Sequence, residues 1–370
     1  MAESPSFTMG IEEEYQIVDP VTRELKQHAR SVVSSAQETV GEDVQAELYQ
    51  SQIEIGTPVC HSLGEARHEI GRLRREVLEA AEREGGSVAA AGTHPFSHWQ
   101  EQELTPKNRY RRLTEDHQQL AREQIIFGCH IHIGLPSREV AIQTMNRARL
   151  WLSPLLALTA NSPFWLGDDS GFASFGREMW RRWPMAGIPP PFASESEYDD
   201  HIEHLLAIKA IKDPTKIYWD LRPSMRYDTL EFRVTDVCMT VDEAVMLAGL
   251  VRALARTCHG QWERGDPMGG VPMDVLAYAN WCASRYGLDE ELVDIESKGT
   301  IPARTMVQRL LSFVREALEA DDAWDEVSRL TDKVLADGTG AARQRAAFSR
   351  SERMADVVDA IVQETRKGLG

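Results

Sequence analysis

Three consecutive carboxylates, Glu12, Glu13 and Glu14, lie inside the run Met9-Gly-Ile-Glu-Glu-Glu-Tyr-Gln-Ile-Val18. Its flanks Ile11, Tyr15, Ile17 and Val18 suit a packed strand. Residues two apart on a strand share a face, so Glu12 and Glu14 point one way and Glu13 the other. Like charges that close repel, and a divalent cation taking several oxygen ligands is the economical reason to keep them together. An edge strand with a wet acidic face would carry the same pattern. Glu54, flanked by Ile53 and Ile55 and followed by Gly56 and Pro58, predicts a second acidic strand. In Ile125-Ile-Phe-Gly-Cys-His-Ile-His-Ile-Gly134 the alternation makes His130 and His132 neighbours on one face. One strand histidine alone would be read as structural. Two beside a carboxylate pair point to a site, because neutral imidazole binds divalent metals and histidinium binds phosphate or carboxylate. Glu231 and Arg233 also share a face by parity, which offers a further ligand beside a guanidinium able to grip a carboxylate or phosphate. A surface ion pair on one strand would look the same.

These side chains need a scaffold. Asp19-Pro20-Val-Thr-Arg23 has turn chemistry, and a polar segment runs on to about residue 43. Ser62-Leu-Gly-Glu65 reads as a capping box, and Leu63, Ala66, Ile70, Leu73, Val77 and Ala80 recur at helical spacing until Gly85-Gly86. Ser87 to Pro95 returns to strand character, and Thr105 to Glu123 is rich in charge. Ser137 predicts the start of a long apolar helix, kinked or divided by Pro154. Asn161 to Ala193, with many Gly and Pro, three tryptophans and Arg177, Arg181 and Arg182, reads as a substrate-covering loop. A hairpin is expected from 218–226 and 229–237, joined by Tyr227-Asp228. Helical patterns follow near 241–264, 273–286, 304–319, 323–336 and 353–367. Strands early and helices late give an α+β class, with helices covering one face of a mainly antiparallel sheet. A flexible lead of residues 1–8 before one catalytic domain, 9–370, is the expected organisation.

Charge narrows the partners. The chain of 370 residues carries 58 acidic against 41 basic residues, a formal net charge of −17, which opposes binding to nucleic acid or anionic membranes. No apolar run is long enough to span a bilayer, and the opening residues lack the basic and apolar regions of a signal peptide, so a cytoplasmic protein is expected. Five scattered cysteines without C-x-x-C spacing suggest reduced thiols rather than a disulfide framework or zinc site.

Taken in order, Gly10-Ile-Glu-Glu-Glu14, Gln52-Ile-Glu-Ile-Gly-Thr-Pro58, Gly92-Thr-His-Pro95, Gly128-Cys-His-Ile-His132, Ala160-Asn-Ser-Pro-Phe-Trp165 and Leu230-Glu-Phe-Arg233 resemble the carboxylate-amine ligase family, glutamate–cysteine ligases of the second type related to glutamine synthetase. Arg285-Tyr-Gly287 and Gly340-Ala-Ala-Arg-Gln-Arg345 extend the resemblance over almost the whole chain. It implies a glutamine-synthetase-like bowl, a mainly antiparallel sheet with helices on the convex face. It implies ATP and Mg²⁺ or Mn²⁺ as cofactors, with metal ligands Glu12, Glu14, Glu54, His130 and Glu231. Glu47 joins that set only if a bulge or turn intervenes, since it lies seven residues before Glu54 and an unbroken strand would oppose them. Arg233, with Glu54 and His132, would serve catalysis. Arg222 and Arg226 are weaker phosphate candidates, and Arg285 and Arg343 are the remaining basic positions for the cofactor, although charged helix faces are commonly just solvated. The implied substrates are small molecules, glutamate or another carboxylate plus an amine such as cysteine. Assembly into a homo-oligomer stays open. So do a guanido-kinase-like phosphotransferase and a metal- or nucleotide-binding protein without ligase turnover.

Overall fold

The computed structural model describes residues 7–369, so the first six positions of the expected flexible lead lie outside the described residues. Phe7 is already part of the fold: it is buried, with the Arg256 guanidinium 5.1 Å from its ring centroid. β1 (Met9–Val18), β2 (Val44–Ala46), β3 (Gln52–Gly56), β4 (Ser87–Ala89), β5 (Gly128–Gly134) and the hairpin strands Leu221–Pro223 and Thr229–Asp236 form one seven-stranded sheet. Across it run Leu221–Pro223, Thr229–Asp236, β5, β1, β3 and β2, with β4 alongside the C-terminal half of β1. Every pairing in this sheet is antiparallel, as the sequence predicts.

Alternation assigns the two faces. Ile11, Tyr15, Ile53, Ile55, Cys129, Ile131, Ile133, Leu230 and Phe232 are all buried on one of them, where burying each aliphatic side chain is worth about 1.5–3 kcal/mol. That face is covered by α1 (Ala29–Val40) and α2 (Leu63–Arg83), by the 23-residue helix Val241–Glu263 and by other helices of the C-terminal half, giving an α+β architecture. α2 begins as expected, with Ser62 Oγ accepting from the Glu65 amide at 3.2 Å. The Glu65 carboxylate reaches back to the His61 amide at 2.7 Å.

Several local expectations change. The apolar helix after Ser137 divides before the proline: Arg138–Ala148 gives way to a 3-10 turn at Arg149–Trp151, and Pro154 sits in the first turn of Leu152–Leu158, where its missing N–H costs nothing. The stretch 161–193 carries, between its loops, short strands and the helix Phe175–Arg181. Tyr218–Trp219 does not belong to the hairpin but pairs in parallel with Ala186–Gly187, and the hairpin connection is Ser224 to Asp228 rather than two residues. The C-terminal half contains a helix missed in the sequence, Gly340–Ser351, and a small hairpin, Glu291–Asp294 with Gly299–Pro302.

Candidate active site

The uncovered face of the sheet gathers the predicted chemistry because antiparallel register aligns it. Glu14 is directly opposite Glu54, Glu12 opposite His130, and Glu231 opposite both His132 and Arg222. Between Phe232 and Thr235 the register with β5 shifts, so that Arg233 and Val234 face His130 alone. This is a β-bulge, a device that re-aims side chains. It brings Arg233 Nη1 to 3.5 Å from His130 Nδ1 and into a hydrogen bond with Glu231 Oε1. The Trp180 ring, centred 5.6 Å from the Arg233 guanidinium, supplies an aromatic wall.

Two groups of side chains able to hold a cation share this basin. In the first, Glu12 Oε1 and Glu231 Oε1 lie 3.4 and 4.0 Å from His132 Nε2. Glu12, His132 and Glu231 each present an atom within 4.8 Å of the others. His132 Nδ1 is 2.9 Å from Thr229 Oγ1, an outer contact that orients the ring. The family resemblance implies His130 as a metal ligand and His132 in catalysis; in the structure it is His132 Nε2 that lies between the carboxylates, with His130 Nδ1 3.2 Å from Glu12 Oε2 at the edge of the group. Burial alone would raise Glu12, yet His130 and His132 hold it well below the usual carboxylate range. Glu231 is likewise held low, the Arg233 and Arg222 charges outweighing its burial.

The second group is Glu14, Glu54 and Glu47. The turn that Glu47 required exists: β2 ends at Ala46 and the chain reverses into β3, bringing Glu47 near Glu54 instead of opposite it. Tyr110, which no spacing signal marks within the charge-rich segment 105–123, donates its hydroxyl to Glu47 Oε2 at 2.9 Å. The Gly128 amide donates to Glu14 Oε2 at 2.9 Å. These donors do not offset the crowding. Burial and the Glu47 charge push Glu14 up to about 8, and burial with Glu47, Glu12 and Glu14 pushes Glu54 well above its usual range. Glu47 rises as well, mainly through burial.

The residues present fit divalent cations. His132 Nε2 is a buried nitrogen with no hydrogen-bond partner, aimed between two carboxylates, and Glu14, Glu54 and Glu47 crowd three carboxyl groups into one half-buried patch whose repulsion a bound cation would relieve. Oxygen-rich sets of this kind suit Mg²⁺ or Mn²⁺.

Four other predicted positions are placed differently. Arg222 is a strut: its Nε and Nη2 hold Glu231 at 2.8 and 3.3 Å, while Nη1 donates to the Ile217 and Thr215 carbonyls. Its donors are used within the protein, so it orients Glu231 and is not a free phosphate ligand. Arg226 is exposed on the hairpin turn. Arg285 donates to the Gly171 carbonyl and packs against the Phe172 and Tyr286 rings. Arg343 is tied to Glu243 and Glu364 beside the start of helix Val241–Glu263, away from the basin. Spacing could not reveal these commitments, because every partner except Glu231, Tyr286 and the carbonyls near Arg222 is distant in sequence.

An antiparallel sheet covered by helices on one face and carrying carboxylates, imidazoles and an arginine on the other defines an α+β protein with a metal-competent open face. Comparison with known proteins gives its family. The family model described as glutamate-cysteine ligase family 2 (GCS2) matches residues 8–364, and the chain belongs to that family. It is 41% identical over 363 residues to "Putative glutamate--cysteine ligase 2" of Rhodopirellula baltica, covering 97% of this chain and 96% of the relative. Among solved structures, it superposes on a glutamate–cysteine ligase of Francisella tularensis in complex with AMP with a TM-score of 0.69 at 14% identity, covering 98% of this chain and 90% of that one. A bifunctional glutathione synthetase from Pasteurella multocida gives 0.68 at 15% identity over 98% of this chain, which spans about half, 52%, of that longer chain.

Proposed function

We propose that residues 9–370 act as one cytoplasmic, ATP-dependent carboxylate-amine ligase that activates the γ-carboxylate of glutamate as an acyl phosphate and transfers it to an amine such as cysteine. The observation that carries this reading is the double ligand basin, Glu12–His132–Glu231 beside Glu14–Glu54–Glu47, with Arg233 between sheet and aromatic wall. The AMP held by the Francisella tularensis protein supports a nucleotide in the same role here.

A carboxylate is a poor acyl donor until one of its oxygens is phosphorylated. Mg²⁺ or Mn²⁺ held by the two groups would supply charge neutralisation for the phosphates. The chain's own residues do the rest. Arg233, fixed through Glu231 and through its backbone N–H to the Asp220 carbonyl at 2.8 Å, orients the transferring phosphoryl group. Arg222 keeps Glu231 in place, and through Glu231 keeps Arg233 aligned.

The test follows oxygen atoms. Glutamate labelled with heavy oxygen in its carboxylates is incubated with ATP, metal and candidate amines. One labelled oxygen should appear in inorganic phosphate in step with ADP and amide. ADP with label-free phosphate would defeat the acyl-phosphate route, and a phosphorylated guanidine without amide would mark a phosphotransferase.

A further inference from the structure

Helix α3 (Asn108–His117) buries only one of its ten residues, Tyr110, which is 4% exposed. Leu113 is half-buried, and Arg109, Arg111 and Arg112 are exposed. A polar helix of this length has little stability of its own in water, so its contacts hold it in place. At the N-terminal end they converge on the turn after β2. Tyr110 donates its hydroxyl to Glu47 Oε2 at 2.9 Å, and Lys107 Nζ donates to the neighbouring Ala46 carbonyl at 2.7 Å. At the other end the His117 ring is centred 4.4 Å from Trp183, which lies beside Trp180 in the aromatic wall near Arg233, and Asp116 pairs with the exposed Lys212 at 2.6 Å. Over about 15 Å, α3 thus runs from the Glu14–Glu54–Glu47 group to that wall. It stops at Gln118, whose φ of +50° is one that residues other than glycine rarely adopt, so the far end is a joint and not a continuing helix. The Tyr110 bond occupies one oxygen of Glu47 and leaves Oε1 to the basin; no other side chain holds this carboxylate among the described residues.

We propose that α3 is a cover latched onto Glu47 by Tyr110, and that its closing and the binding of a divalent cation by Glu14, Glu54 and Glu47 reinforce each other. Tyr110 is then a positioning residue for that cation, a role resting on the ligand function proposed for these carboxylates. The physical link is the one carboxylate that both events share. Tyr110 holds Glu47 in a single rotamer, which spares the cation the cost of ordering it, and a cation on Oε1 fixes the same rotamer and keeps the latch's acceptor in place. Linkage makes the effect reciprocal: the closed cover tightens the cation by the same factor by which the cation suppresses opening.

The helix carries its own reporters, because trypsin cuts after Arg109, Arg111 and Arg112 only when α3 opens. The full chain is digested with limiting trypsin with and without saturating Mn²⁺, fragments are assigned by mass spectrometry, and cleavage after the exposed Arg264 gives the reference rate. Mn²⁺ should slow cleavage within α3 roughly tenfold relative to Arg264. Tyr110→Phe should abolish that slowing, and calorimetry should show the variant binding Mn²⁺ more weakly by a similar factor. The substitution keeps the ring, and thermal unfolding without metal checks that the variant folds. A hydroxyl serving packing alone would raise cleavage equally with and without Mn²⁺ and leave the slowing intact, which overturns the proposal. An unchanged Mn²⁺ affinity in Tyr110→Phe, or no slowing in the wild-type protein, overturns it as well. If the wild-type protein binds no Mn²⁺, the cation-site reading falls with the cover. If it binds Mn²⁺ and only the coupling is missing, that reading stands and the cover does not.

Discussion

Two arginines, one on each face of the same sheet, show how differently this fold treats charge. Arg74 on α2 meets Glu13 through two bonds, Nε to Oε2 at 2.9 Å and Nη2 to Oε1 at 2.5 Å, and spends its other donors on the Met239 and Cys238 carbonyls at 3.1 and 2.7 Å. Tyr15 donates its hydroxyl to the same carboxylate. Arg233, on the open face, shares one bond with Glu231, sits near an imidazole and keeps Nε buried and unmatched. The first arginine is saturated and serves the scaffold; the second retains capacity for something that is not protein. The three carboxylates of β1 divide the same way, with Glu13 neutralised among helices and Glu12 and Glu14 left to a basin.

The largest effect should come from breaking the saturated side. Arg74→Met leaves Glu13 as an uncompensated buried charge and should cost about 3–5 kcal/mol of folding stability, measured by denaturant unfolding. Adding Glu13→Leu should recover much of that loss. If Arg74→Met alone unfolds at the wild-type midpoint, the pair is not what fixes β1 on α2.

The mirror experiment is Arg233→Lys, which should leave the unfolding midpoint within about 1 kcal/mol but lower kcat/KM by about 2–4 kcal/mol of transition-state stabilisation, since one ammonium cannot reproduce a planar fork. Equal losses of stability and activity would erase the distinction between the two faces.

His94 sharpens the comparison on the saturated side. Its Nδ1 accepts from the Phe96 and Ser97 amides at 3.2 and 2.9 Å and its Nε2 faces the Arg23 carbonyl at 2.8 Å, so the folded protein requires the neutral ring, and burial lowers its pKa from 6.5 to about 3. The unfolded chain takes up a proton that the folded one refuses. This contribution is complete above pH 6.5 and is lost as pH falls toward 3, roughly 2–3 kcal/mol between pH 7 and 4.5. Unfolding measured across that range should show the slope, and His94→Gln should flatten it.

The smallest effect has the opposite sign. Glu54→Gln removes one of three crowded carboxylates, and should raise metal-free stability by about 1 kcal/mol near pH 8 while weakening Mg²⁺ or Mn²⁺ binding, read by calorimetry. Lower stability together with unchanged metal affinity would return Glu54 to an ordinary structural role.

Much of the site was readable because strand parity is strict. Glu12 with Glu14, His130 with His132 and Glu231 with Arg233 follow from a period of two, and hydrophobic neighbours such as Ile53, Ile55 and Ile131 marked which face would be buried. The capped helix α2 was equally plain, since its signals are local. Partners beyond that reach were not readable. Nothing near Glu13 names Arg74, 61 residues on, and nothing in Arg343 names Glu243, 100 residues earlier. The bulge at Arg233, the turn that carries Glu47 back to Glu54, and the use of Arg222 as a strut depend on which strands become neighbours. The sequence by itself determined which residue types share each face, because alternation is a property of one strand. Only the tertiary structure decided which charges are matched and which remain available, because matching requires atoms from segments that meet when the sheet assembles and its helices pack.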